Sequence, residues 1–145
     1  MTIYQTPLEG CFVMEPKVFT DLRGVFLEVF HQNDFLERTG LKIDFVQDNQ
    51  STSHYGVLRG LHLQMGEASQ AKLVRVIKGE VMDVVVDLRP KSATYGQHFK
   101  IRLSAENNKQ LFIPGGFAHG FVSLAEESIF AYKCDTYYNP KAEAG

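Results

Sequence analysis

Lys72-Leu73-Val74-Arg75-Val76-Ile77-Lys78-Gly79-Glu80-Val81-Met82-Asp83-Val84-Val85-Val86-Asp87-Leu88 is the stretch that decides the fold class. Valine and isoleucine dominate both halves, and such side chains fit a pleated, half-buried surface better than a helix. Lys78-Gly79 interrupts the run at a point where glycine permits a tight reversal. The pattern predicts a hairpin in which residues 72–77 pair with residues 80–88. Asp83 falls inside the apolar run. If buried, its carboxylate needs a partner, which Lys72 or a histidine could supply. The alternative is a wet face shared with Asp87, which has the same parity.

Outward from this hairpin the chain repeats the same kind of segment. Residues 25–30 (Val-Phe-Leu-Glu-Val-Phe) read as a strand. Phe99, Ile101 and Leu103 alternate with Lys100, Arg102 and Ser104, a strand with one wet face. Residues 112–113 and 117–124 flank a turn at Pro114-Gly115-Gly116, and residues 128–134 close the series. One short helix is expected, with Asn33 as N-cap, residues 34–38 as its turns and Gly40 just past its end, covering an edge of a sheet. Many short strands separated by turn residues predict an all-β protein. A double-sheet jelly roll with one short helix, residues 1–145 forming a single domain, is the architecture expected.

The 145 residues suffice for one sizeable core, and 44% hydrophobic content is ordinary for a globular chain. A formal net charge of -2 gives no bulk attraction to nucleic acid or anionic lipid, so any phosphate binding must rest on local cations. Cys11 and Cys134 lack metal-ligand spacing; a reduced, buried pair is expected, with a disulfide as the alternative. The start MTIYQTPLEG lacks a charged region followed by an apolar one, and no apolar run is long enough to span a bilayer. The expected compartment is the cytoplasm.

The chemistry concentrates in Gly56-Val57-Leu58-Arg59-Gly60-Leu61-His62-Leu63-Gln64. Arg59 can fork onto a phosphate, and His62 can exchange a proton near neutral pH. Three positions apart, they would face opposite sides of a regular strand. A bulge at Gly60 would bring both to the interior. Proton abstraction beside a ketone needs a base, a cation or donor at the carbonyl oxygen, and for inversion an acid on the other face. His62 is the candidate base, Lys72 the enolate stabiliser, and Tyr132 the acid, since Phe130, Tyr132 and Cys134 share one face of the last strand. Plainer readings exist. Tyr132 and Tyr138 could be packed strand tyrosines, Lys72 an edge lysine, and His119 a partner of the turn after Pro114. His31, His54 and His98 read as structural or exposed.

Five segments, taken in order, resemble the dTDP-4-dehydrorhamnose 3,5-epimerase family. They are Phe19-Thr20-Asp21-Leu22-Arg23-Gly24, Phe45-Val46-Gln47-Asp48-Asn49-Gln50-Ser51, the Arg59–His62 run, Phe112 to Phe121, and Tyr132 to Pro140. The resemblance implies a cupin-type barrel and an enzyme that inverts C3 and C5 of dTDP-4-dehydro-6-deoxyglucose to give dTDP-4-dehydro-L-rhamnose. It implies that His62 removes both protons, that Tyr132 donates from the other side, and that Lys72 sits at the keto oxygen. Arg23 and Arg59 would bind the diphosphate with His119 nearby. Glu28, Gln47, Asn49 and Ser51 would line the pocket, and Tyr138 would stack on thymine. Phe19 and Arg23 would come from the neighbouring subunit of a homodimer. No cofactor or metal is implied.

The family also carries a C-terminal segment whose aspartate pairs with the catalytic histidine. The present sequence stops at Gly145 inside that motif, so it reads as part of a longer chain. Asp83 or another carboxylate is the alternative orienter. Competing functions are an epimerase acting at C3 or C5 only, a metal-dependent cupin, and a non-catalytic nucleotide-sugar binder. Pro114-x-Gly116-x-x-His119 fits one cupin metal motif. The other needs a second imidazole where this chain has Gln64, a poor transition-metal ligand, with only Glu67 nearby.

Overall fold

A computed structural model describes residues 1–145. In chain order its strands are β1 (Thr2–Gln5), β2 (Phe12–Glu15), β3 (Val18–Asp21), β4 (Gly24–Leu27), β5 (Gln47–His54), β6 (Leu58–Gln64), β7 (Lys72–Lys78), β8 (Glu80–Asp87), β9 (His98–Ser104), β10 (Gln110–Ile113), β11 (Phe117–Ser123), β12 (Glu127–Cys134) and β13 (Glu143–Ala144). One helix, α1 (Gln32–Thr39), lies between β4 and β5. A six-stranded sheet runs β1-β2-β10-β7-β12-β5 and a five-stranded sheet β13-β6-β11-β8-β9, with β3-β4 forming a separate two-stranded arm. All pairings are antiparallel. The all-β, double-sheet expectation holds.

The expected hairpin at residues 72–88 does not form. β7 pairs with β10 and β12, whereas β8 pairs with β11 and β9 in the other sheet. Gly79 turns the corner between the sheets at φ 82°, and a Cβ there would lie 2.4 Å from the Glu127 carbonyl oxygen. Two consecutive half-buried strands have the same apolar pattern whether they pair or face each other across a core. Here they face each other, and Val74 and Val76 meet Val81 and Val85 in the main cluster with Leu103, Leu111 and Phe130.

Parity puts Asp83 and Asp87 inside that sandwich, both 0% exposed, rather than on a wet face. Asp87 is satisfied by Arg89, Ser92 and Thr94, which hold its carboxyl well below the usual range despite its burial.

Three further boundaries differ from expectation. The strand at 25–30 ends at Leu27, and Phe30 instead packs with Phe35 and Phe45 in a second cluster beneath α1. The helix starts earlier, with His31 rather than Asn33 as N-cap; its Nδ1 accepts from the Asp34 amide at 3.2 Å. Gly40 ends it in the left-handed region, as expected. The short strand β13 follows β12, where none was expected. Cys11 and Cys134 are buried and unbridged, and burial pushes their thiols up to about 12 and about 11. No helix is long and apolar enough to cross a membrane.

Candidate active site

β6 and β11 are out of step between Arg59 and His62. Arg59 lies opposite Phe121 and His62 opposite His119, so β6 uses one residue more than its partner. The irregularity falls at Gly60, with φ 97°, where a Cβ would lie 2.5 Å from the His119 carbonyl oxygen. Only glycine fits so close a backbone approach. The extra residue brings Arg59 and His62 onto one cavity, as their spacing predicts.

That cavity, of about 190 Å³, lies between the sheets. Its wall includes Asn49, Ser51, Arg59, His62, Lys72, His119 and Tyr132, and the stacked rings of Phe121 and Phe130 bring the apolar core up to it. An adjoining space of about 150 Å³ shares Asn49, His62, Lys72 and Tyr132 and adds Gln64, Tyr138 and Glu143. A cavity of about 270 Å³ on the outer face of the six-stranded sheet, beside Arg75 and Lys133, contains no histidine. Chemistry, not size, therefore selects the first space.

His62 comes from the five-stranded sheet, and Lys72 and Tyr132 from the six-stranded one. Burial, then the Lys72 ammonium, pushes the His62 imidazole below its ordinary value, with Glu143 pulling the other way. The imidazole is thus neutral at neutral pH. Lys72 is 8% exposed, and burial lowers its ammonium while Cys134, Asp83 and Glu143 oppose the change. Its Nζ lies 5.4 Å from the centroid of the Tyr132 ring. Burial pushes the Tyr132 phenol up, so it keeps its proton.

The surrounding residues are tied together. Arg59 Nε donates to Ser53 Oγ at 2.9 Å and its terminal nitrogen to the Thr52 carbonyl at 3.3 Å. His119 Nε2 lies 2.7 Å from Asp83 Oδ1, so a histidine is the partner that the buried Asp83 requires. Gln47 donates to Asn49 Oδ1 and accepts from the Tyr138 amide. The Tyr138 hydroxyl donates to Glu143 Oε2 at 2.6 Å. Glu143 is a site residue that sequence reading missed, because only its pairing with Gln64 brings it here.

Phe19, Arg23 and Glu28 are not brought to this cavity, and Gln47 stands behind Asn49 without lining it. Phe19 and Arg23 stand on the β3-β4 arm around their own surface hollow, and Glu28 is exposed just beyond it. Arg23 pairs with Asp21 at 2.6 Å, its side chain 91% exposed. No three His, Cys, Asp or Glu side chains converge into a metal-ligand set.

A sequence profile described as dTDP-4-dehydrorhamnose 3,5-epimerase matches residues 5–145. The enzyme of that name from Salmonella typhimurium is 52% identical over 143 residues, covering 99% of this chain and 78% of its own. The crystal structure of dTDP-4-dehydrorhamnose 3,5-epimerase from Elizabethkingia anophelis is 53% identical and superposes with a TM-score of 0.95, covering 100% of this chain and 79% of its own. The Legionella pneumophila dTDP-6-deoxy-D-glucose-3,5-epimerase, solved in complex with dTDP-4-keto-L-rhamnose, is 48% identical with a TM-score of 0.94, covering 98% of this chain and 75% of its own. With this identity along nearly its whole length, and with an imidazole, a buried amine and a phenol around one cavity, the chain belongs to the dTDP-4-dehydrorhamnose 3,5-epimerase family.

Proposed function

We propose that this protein is an isomerase that inverts C3 and C5 of dTDP-4-dehydro-6-deoxyglucose to give dTDP-4-dehydro-L-rhamnose. The observation that carries the reading is that His62 and Tyr132 reach one cavity from facing sheets, with Lys72 on the same wall. His62 takes the proton beside the ketone. The C–H electron pair becomes the C=C bond of an enolate, and its charge settles on O4 against the Lys72 ammonium. Tyr132 then protonates the same carbon from the other side and the ketone re-forms. His62 returns its proton to solvent and Tyr132 regains one, so each inversion exchanges one hydrogen. The cycle repeats at the second carbon.

Arg59 and His119 would hold the diphosphate, with Asn49 and Ser51 lining the pocket, Gln47 bracing Asn49 from behind and the Tyr138 ring under thymine. Phe19, Arg23 and Glu28 would complete the pocket from a second copy. Support comes from the β3-β4 arm, where Phe19, Leu22, Val25 and Phe26 are 51%, 108%, 60% and 69% exposed. A lone two-stranded hairpin with its apolar side chains in water is marginal, so a homodimer that covers it is the stable form. Two buried, unbridged thiols suit a reducing compartment, and we place the protein in the cytoplasm.

Proton NMR in deuterated water with dTDP-4-keto-6-deoxyglucose tests the activity. Deuterium entering at C3 and C5 with inverted product is expected. Exchange at one carbon alone would make this a single-centre epimerase, and none at all would leave only a nucleotide-sugar binder.

A further inference from the structure

Gln64 is a buried polar side chain that the proton-transfer scheme leaves unused. It lies two residues beyond His62 on β6, so strand alternation aims both toward the same side. It is 5% exposed, and a primary amide so buried must spend both its donors and its acceptor. Nε2 donates to the Ala68 carbonyl at 2.7 Å and to the Tyr137 carbonyl at 3.4 Å. Oε1 accepts from the Asn139 amide at 2.6 Å.

Two of these bonds grip the backbone on either side of Tyr138. Register pairing of Gln64 with Glu143 and a Met65 amide to Ala142 carbonyl bond of 2.9 Å hold the same segment again four residues later. Across the cavity, Gln47 on the other sheet takes the Tyr138 amide at 3.0 Å. The segment from 137 to 143 is therefore a strap between the sheets, clamped chiefly to β6. What it presents to the cavity is the Tyr138 ring and the Glu143 carboxylate.

We infer that Gln64 is a positioning residue for nucleotide affinity: by fixing the peptide groups flanking Tyr138 it sets the ring against which the nucleobase stacks, and makes no contact with the reacting carbons. This rests on the functional reading above, in which Tyr138 is the platform for thymine. It also explains a glutamine where a metal-binding cupin would place an imidazole. The amide is already committed to holding backbone.

The test is calorimetric titration with dTDP of the wild type, Gln64→Met and Gln64→Glu, at neutral pH and at about pH 5, where a glutamic carboxyl begins to take up its proton. The ionised carboxyl keeps the acceptor for Asn139 but faces two carbonyl oxygens. Once protonated it regains one O–H donor for the nearer carbonyl, that of Ala68, and restores the amide pattern in part. His62, Lys72, Tyr132, Tyr138 and Glu143 also surround this space, so each affinity is taken relative to wild type at the same pH, which cancels their titration.

Gln64→Met is expected to bind dTDP about tenfold more weakly at both pH values, within the worth of one aromatic stacking platform. Gln64→Glu should be weak at neutral pH and recover toward wild type at about pH 5. Deuterium exchange at saturating substrate should stay within about threefold of wild type while KM rises. Unchanged affinity in a folded Gln64→Met, or a fall in kcat at constant KM, overturns the inference. If Gln64→Met does not fold, the pH dependence of Gln64→Glu decides alone, and a flat ratio to wild type overturns it. Failure of the wild type to bind dTDP would instead overturn the functional reading, and this inference with it.

Discussion

His119 Nε2 lies 2.7 Å from Asp83 Oδ1, and the two side chains are 7% and 0% exposed. They are diagonal neighbours on adjacent strands, since Asp83 lies opposite Phe121 and His119 opposite Val85. The second carboxylate oxygen, Oδ2, has no partner. Burial pushes the Asp83 carboxyl above its ordinary range, although His119 and Lys72 pull it down. A half-satisfied buried carboxylate is costly to fold, which fits a group kept to hold His119 and to face Lys72 rather than to stabilise the barrel.

An acid whose folded-state pKa is raised takes up protons on folding. Its contribution is most favourable below its unfolded pKa and declines as pH rises through the folded one. Asp83→Asn carries no charge at any pH and still offers His119 an acceptor. Its melting temperature at neutral pH should therefore equal or exceed that of wild type, the difference shrinking near about pH 4, where the carboxyl is protonated. Epimerisation should slow. Asp83→Ala should instead melt below wild type, because it leaves the buried His119 Nε2 without its partner. Differential scanning calorimetry checks both, and an Asn variant melting below wild type at neutral pH would mean that the Asp83 carboxylate is net stabilising.

Much of this site could be read before the fold. The odd spacing of Arg59 and His62 around Gly60 implied an irregular strand, and a buried Asp83 implied a partner, because both follow from local rules of alternation and desolvation. The corner at Gly79 could not be read, since alternation tells which face is buried and not whether the neighbouring strand lies beside it or across the core. Glu143 and the anchoring role of Gln64 were hidden for another reason. A two-residue strand has no period of its own and is defined only by the residues it meets 79 positions earlier in the chain, as the pairing of Glu143 with Gln64 shows. The N-cap is not legible because a histidine is an uncommon cap, and Asn33 offers a commoner one.

Burial and Lys72 both hold the His62 imidazole below its ordinary 6.5, so its acid limb should fall below that value. Removing the ammonium in Lys72→Met should move the His62 titration, followed by NMR of its ring protons, to higher pH. The same variant should lose about 10²- to 10³-fold in exchange rate, the usual cost of one oxyanion-stabilising group. His62→Ala should lose exchange at both C3 and C5 by about 10²- to 10⁴-fold while still binding dTDP. An unmoved His62 titration in Lys72→Met would show that the two groups do not sense each other.

Turnover should survive chelation. His119 turns its Nε2 to Asp83, and the Gln64 amide is spent on the strap, so neither cupin metal motif has a complete donor set free. Activity that vanishes with chelator and returns with one divalent ion would favour the metal-dependent reading.

Tyr132→Phe should separate proton removal from inversion. Phenylalanine keeps the ring beside Phe130, with centroids 6.0 Å apart in the parent, and deletes only the hydroxyl, so the fold should hold. His62 still takes the proton, and Lys72 still meets the developing negative charge. What the enolate lacks is a donor on the face of the six-stranded sheet. Burial keeps the parent phenol protonated well into alkaline pH, so it is a donor throughout the working range and its loss is not replaced by a change of pH. Isotope from deuterated water should then still enter the sugar, returned by His62 to the face it came from, while inverted product at one or both carbons falls by about 10²-fold or more. NMR reads both quantities in one experiment, the exchange from the lost C–H signals and the inversion from the product couplings. Inverted product at the wild-type rate would return Tyr132 to the role of a packed strand tyrosine and make water or another donor the acid.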